Sequence, residues 1–348
     1  MCDLRWSSRA WIEVGADLAR WAWMEERRID RLGRSVSVVG LGTWQLGADW
    51  GSVVADDARA TLEAAVEEGV TFFDTADAYG DGRSEQFCGE LHRRHPEVLI
   101  ATKMGRRVEQ LPENYNRQSF LEWNDRSRAN LGVDQLDLVQ LHCPPDPVFE
   151  NDAVFEALDE MASAGRIRAY GVSVETCAQA ITAIARPHVA TVQIILNCFR
   201  LKPLEEVVPA AREAGVGIIA RVPLASGLLS GRYDEHTVFA ADDHRSYNRH
   251  GEAFDVGETF AGVPFEAGLA AVRELNALLD PGQSLAQFAL RWVIDQPGVS
   301  TVIPGARDPE QVRANAASAA LPPLRDDQLA AVQDVYDRLV RPLVHDRW

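Results

Sequence analysis

Eight short apolar runs, rich in Val, Ile, Leu and Phe, recur along this chain with helix-period segments between them. They are VSVVG 36–40, VTFFDTA 70–76, VLIATK 98–103, LDLVQLHC 136–143, IRAYGVS 167–173, TVQIILN 191–197, GIIARVP 217–223 and STVIPG 300–305. Near-continuous hydrophobicity over so few residues suits parallel strands covered on both faces. Parallel neighbours cannot be joined by tight hairpins and need crossover helices. The intervening segments carry the matching punctuation. DDARATLEAAVEEG opens on Asp and stops at Gly69, and NDAVFEALDEMASAG stops at Gly165. SFLEWNDRSRANLG sets Glu122 three residues after Ser119, a capping box, and stops at Gly132. LEEVVPAAREAG stops at Gly215 and carries Pro209 as an awkward interior residue. DPEQVRANAASA has Asp308 as cap and Pro309 at the first helical position.

Eight such repeats in about 270 residues predict an α/β fold, a closed (β/α)8 barrel. A doubly wound sheet is the competitor, and it would place G-x-G-x-x-G after the first strand. The stretch there is GLGTWQLG, with Gly40, Gly42 and Gly47; the third glycine would fall at Gln45, and no helix follows directly. No linker divides residues 24–348, so they read as one domain. RRIDRLGRSVSVV reads as a hairpin plugging the barrel's bottom. The stretch from about Gly231 to Pro264, between strands seven and eight, has no sustained period and reads as a substrate-covering loop. Residues 1–23 read as an N-terminal extension, disordered or a short helix, with Met24 the favoured translation start.

A net charge of −17 argues against nucleic acid as a partner. Any anionic ligand must find a local cluster of donors. The five cysteines are scattered and form no CxxC pair, so neither a disulfide framework nor a metal site is expected and the cytoplasm is. No apolar run is long enough to span a membrane as a helix.

In a barrel, chemistry collects at the C-terminal strand ends. Strand two ends in Asp74, with Tyr79 in the loop beyond; strand three ends in Lys103; strand four ends in His142. Strand alternation puts Leu99, Ala101 and Lys103 on one face. Lys103 and Lys202 are the only lysines among 35 Lys and Arg residues. A lysine ending an apolar strand in so arginine-rich a chain suggests a role for a compact, tunable cation. Taken singly, Asp74 suits a cap, Tyr79 a rim aromatic and His142 a packed polar residue. Their convergence points to chemistry. A phenol is a poor proton donor at neutral pH, and an ammonium beside it stabilises the phenolate. Asp74 would keep Lys103 charged, and His142 would donate a hydrogen bond to a carbonyl oxygen. That set can protonate an oxygen gaining negative charge, which carbonyl reduction by hydride from a nicotinamide requires.

The sequence resembles the aldo-keto reductases. The resemblance runs through GLGTWQLG, FFDTADAYGDGRSEQFCGELH, IATK, LVQLHCP, GVS, VPLASGLLSG and IPGARDPEQVRAN, across about residues 27 to 340. It implies a barrel that binds NADPH across the strand ends, with Tyr79 as general acid/base, Lys103 as the partner that tunes it, Asp74 as the partner of Lys103, and His142 orienting the carbonyl. By the same resemblance Gly42, Thr43 and Trp44 line the loop after strand one, and Asp74 also borders the cofactor. Ser173 and Gln193 would hold the carboxamide. Pro223, Leu224, Ala225, Gly227 and Leu228 would wrap the pyrophosphate. Gly305, Arg307, Gln311 and Asn315 would hold the adenosine end, at a helix start whose N–H groups favour anions. The chain departs from the family pattern in three places. Val174 stands where Asn is usual, Arg221 where a ring often stacks on the nicotinamide, and Gly305–Ala306 where Lys–Ser meets the 2′-phosphate. Arg307 would supply that charge instead.

Trp44, Trp50, Tyr79, His142, Tyr115 and the 231–264 loop are the candidate substrate lining. The expected partner is a small-molecule carbonyl or alcohol, and oligomeric state is left open. Two rival readings are an NADPH-binding redox sensor with little turnover, like the potassium-channel β-subunits that resemble these reductases, and a Schiff-base lyase built on Lys103.

Overall fold

The computed structural model describes residues 23–47 and 54–348. The expected extension up to residue 22, and Trp50, lie outside the described residues.

An antiparallel hairpin comes first: β1 (Glu26–Ile29) pairs with β2 (Arg34–Ser37), Glu26 opposite Ser37. Eight parallel strands follow in chain order: β3 (Leu41–Gly42), β4 (Phe72–Asp74), β5 (Leu99–Met104), β6 (Leu136–His142), β7 (Ile167–Ser173), β8 (Val189–Ile195), β9 (Gly217–Arg221) and β10 (Val299–Val302). Parallel bridges from Val39 to Val302 and from Gly42 to Gly305 join the last strand to the first. The sheet thus closes into the expected barrel, with helices outside.

Strand alternation divides the apolar residues into two layers. Phe72, Leu99, Ala101, Leu138, Ala190 and Ile219 point inward and form one buried cluster with Ile29, Leu32 and Val36 of the hairpin region. The hairpin therefore plugs the bottom. Ile29 packs so closely on Gly217 that a Cβ there would stand 2.8 Å from its methyl groups. The outward-facing residues, such as Ile100, Val139 and Ile194, pack against the helices in a second cluster.

Four local expectations need correction. The run 36–40 is not one strand: Ser37 ends the hairpin, Val39 makes a single bridge, and the wall proper begins at Leu41. Plug and wall are both buried, so hydrophobicity did not separate them. The first long helix is Ala55–Glu67, which puts Asp56 and Asp57 in its first turn. The cap of Arg117–Leu131 is Asn116, whose side chain accepts the Ser119 N–H at 3.1 Å; Ser119 is already inside the helix. Pro209 is the third residue of Val207–Ala214, since the chain before it forms a separate turn, Lys202–Leu204. A first-turn proline gives up only an N–H that the helix leaves unpaired. Among the described residues, no helix is long and apolar enough to cross a membrane.

Candidate active site

Barrel register brings three of the four candidate side chains together. Asp74 pairs with Ala101 and Lys103 with Gln140, so Asp74 at the end of β4, Lys103 one residue before the end of β5 and His142 at the end of β6 meet at one rim. Tyr79 opens a turn, Tyr79–Gly82, that folds back over the same rim. That return requires glycine at position 80. Its φ is +57°, and a Cβ there would stand 1.8 Å from the Gly47 carbonyl oxygen.

Lys103 is the hub. Its Nζ donates to Asp74 Oδ2 at 2.5 Å, to the Thr75 carbonyl at 2.9 Å and to the Tyr79 hydroxyl at 3.1 Å. The side chain is only 1% exposed. Asp74 Oδ1 accepts amide N–H groups from Gln193 at 2.7 Å and from Gln140 at 3.2 Å. The His142 ring meets the Tyr79 ring edge-on at 5.9 Å, and Trp44 stacks on Tyr79 at 6.2 Å.

Burial opposes the Lys103 charge, but Asp74 and then Tyr79 outweigh it and raise its pKa. The ammonium is therefore permanent. The Tyr79 phenol is raised by burial; Lys103 lowers it, while Asp74 and Glu258 push it up. Lys103 thus tempers a phenol that burial would otherwise hold still higher, rather than bringing it below its ordinary value. Burial holds the His142 pKa well below its usual range, reinforced by Arg106, Lys103 and Arg221. It stays neutral at pH 7 and can donate one hydrogen bond without carrying charge.

These groups sit at one end of a cleft of about 640 Å³ that runs across the rim. Gly42, Thr43, Trp44, Ser173, Gln193, Arg221, Pro223, Leu224, Gly227, Gly305, Arg307, Gln311 and Asn315 all border it, with Asp74, Tyr79 and His142. Two expected residues do not. Ala225 and Leu228 are 0% and 1% exposed, because the tight turn Ala225–Ser230 sends them into the core and leaves Ser226 and Gly227 on the cleft. Tyr115 is also elsewhere: it packs edge-on against Trp123 at 5.9 Å and donates to Gln110 Oε1 at 2.7 Å.

The 231–264 loop does border the cleft, through Tyr233, Phe239, His244 and Glu258. Sequence reading missed all four, since a loop without period offers no signal for which residues turn inward. The loop is tied to the body where Trp348 Nε1 donates to Asp255 Oδ1 at 3.0 Å. The helix Pro309–Ala316 begins as expected, with the Asp308 side chain taking the Gln311 N–H at 2.8 Å. That carboxylate occupies one donor, so positive charge at this end of the cleft comes from Arg307 rather than from the helix start alone.

Residues 38–337 match the profile of the Aldo/keto reductase family. The chain belongs to that family. As an aldo-keto reductase it is 33% identical to aldo-keto reductase YhdN of Bacillus subtilis (strain 168) over 299 residues, 84% of this chain and 87% of that one. Among solved structures it is similar to a glycerol dehydrogenase from Gluconobacter oxydans, with a TM-score of 0.74 and 31% identity over 92% of this chain and 97% of that one. It is also similar to an aldo-keto reductase from Klebsiella pneumoniae in complex with NADPH, with a TM-score of 0.67 and 25% identity over 90% and 95%.

Proposed function

We propose that this chain is an NADPH-dependent oxidoreductase that reduces aldehyde or ketone carbonyls to alcohols. One observation carries the reading: a fully buried lysine touches both a carboxylate and a phenol at the mouth of the barrel. A Schiff-base lysine would have to lose its proton, and Asp74 opposes that.

The cleft suits an extended dinucleotide. At two of its borders the protein's own packing leaves little space for a side chain: a Cβ at Gly42 would stand 3.1 Å from the Ile303 carbonyl, and one at Gly227 would collide with the Tyr233 hydroxyl. The Klebsiella relative was solved with NADPH, and we extend that cofactor to this chain. Ser173 and Gln193 would hold the carboxamide, and Arg307 and Asn315 the adenosine end. Bound NADPH would supply the hydride to the carbonyl carbon.

The chain's own groups handle the proton. Neutral His142 donates a hydrogen bond to the substrate oxygen and fixes it beside Tyr79. As charge develops on that oxygen, the Tyr79 hydroxyl gives up its proton. Lys103 stabilises the phenolate left behind. Asp74, held by Gln193 and Gln140, keeps Lys103 charged and in place. In the reverse direction the same phenolate takes the alcohol proton.

The test combines binding and turnover. NADPH is titrated by tryptophan fluorescence on wild type and Tyr79→Phe, and both are run against a panel of aldehydes and ketones. We expect equal NADPH binding and a loss of turnover of about 10²-fold or more in the variant. Tight binding with no wild-type turnover on any carbonyl would point instead to a nucleotide-sensing module.

A further inference from the structure

Four charged side chains that the proton chemistry does not use meet at the cleft wall, and each comes from a different segment. Arg106 follows β5, Glu175 follows β7, Arg221 ends β9, and Glu258 belongs to the 231–264 loop. Arg106 Nη2 donates to Glu175 Oε1 and to Glu258 Oε1, both at 2.9 Å. Arg221 Nη2 donates to Glu175 Oε2 at 2.8 Å and to the Val174 carbonyl at 3.0 Å, and its Nη1 lies 3.5 Å from Glu258 Oε1. The side chains of Arg221, Glu258 and Glu175 are 9%, 11% and 14% exposed. Cys143 Sγ and the two carboxylates lie within 4.8 Å of one another, but the two guanidiniums already neutralise the acids, so this is not a cation site.

A buried ion-pair cluster is a poor way to gain stability. Desolvation consumes most of the Coulomb attraction, and apolar residues of similar volume do as well or better. What the cluster offers that a packed ring cannot is charge beside the cleft. Arg221 and Glu258 border it, and so do Tyr79, His142, Ser173 and Gln193, at the end where the reading above puts the nicotinamide. The two redox forms of a nicotinamide differ there by one positive charge on the ring. A guanidinium alone disfavours the oxidised form; a carboxylate alone favours it. The cluster also unites two departures from the family pattern, because Arg221 is hydrogen-bonded to the backbone of Val174.

We propose that Arg221, balanced by Glu258, sets the relative affinity of this site for oxidised and reduced nicotinamide nucleotide. This rests on the NADPH reading above. Because Glu258 belongs to the long loop, the balance holds only while that loop is seated.

The experiment measures Kd for NADPH and for NADP+ at low ionic strength on wild type, Arg221→Met, Arg221→Lys and Glu258→Gln. The quantity read is the ratio of the NADP+ value to the NADPH value. We expect it to fall by about threefold or more in Arg221→Met and to rise by a similar factor in Glu258→Gln, since a unit charge beside the ring acts by about that much even in high dielectric. Arg221→Lys keeps the charge and stays near wild type. Opposite signs separate charge from mere loss of packing, which would weaken both forms together. A ratio that is unchanged, or that moves the same way in both variants, overturns the proposal. Should Arg221→Met fail to fold, Arg221→Gln takes its place, with the same expected fall in the ratio. Wild type binding neither nucleotide would sink the cofactor reading, and this inference with it; binding without the opposed shifts sinks the inference alone.

Discussion

Lys103 does two jobs that pull on one proton. In the proposed reaction it stabilises the Tyr79 phenolate, and it needs Asp74 to remain an ammonium beneath the rim. Removing it should therefore affect the two reaction directions differently. In Lys103→Met the lowering influence on the phenol is gone, and its already raised pKa climbs further. If alcohol oxidation runs through that phenolate as proposed, its rising limb in a pH profile moves to higher pH and its rate at neutral pH drops steeply. A limb that stays in place would mean that another group titrates there. Asp77, two residues before Tyr79, behaves in the opposite sense to most surface acids. It is fully buried, and neither carboxyl oxygen has a hydrogen-bond partner. Burial, helped by Glu85, lifts its pKa from 3.8 to about 7. The folded chain thus keeps this proton where the unfolded chain releases it. Stability falls as pH rises through that window, by up to about 1.4 kcal/mol per pH unit. Asp77→Asn should flatten the decline, which denaturant melts at several pH values between 4 and 8 would reveal.

At the scale of elements, what a sequence discloses depends on whether the signal is local. Capping at Asp308, and the glycine stops at Gly132 and Gly215, were legible because each needs only a few neighbours in the chain. The Ser119–Glu122 box was misread because Asn116, three residues earlier, wins the cap with the same chemistry. Asn116→Ala should accordingly cost about 1 kcal/mol, and Ser119→Ala no more than about 0.5 kcal/mol. Equal effects in thermal melts would restore the earlier assignment. The strand ends were legible for the same reason: Asp74, Lys103 and His142 follow from where apolar runs stop. Arg106, Glu175 and Glu258 were not, since their meeting is decided by three loops packing together and leaves no trace of spacing. Ala225 and Leu228 show the converse, where matching a motif located the right turn without saying which residues it turns inward.

For the molecule as a whole, alternation of strands and helices was enough to announce a barrel, and the stretch RRIDRLGRSVSVV ahead of it announced the hairpin that seals its bottom. Within that hairpin Ile29, 1% exposed, packs in one cluster with the inward faces of several strands. Ile29→Ala would open a cavity far from the rim, at a cost of about 2–4 kcal/mol. A lower melting temperature with unchanged nucleotide affinity is expected. A matching loss of affinity would show that plug and rim are coupled through the barrel.

The contact between Gly80 and Gly47 has a bearing on how such a chain can diversify. Two backbone segments touch there with no room for even a methyl group, so the loop carrying the phenol cannot be re-aimed by substitution. Descendants of this sequence are held to one position for the Tyr79 phenol. Novelty in what they accept is left to the 231–264 segment, which borders the same cleft and takes no part in that contact.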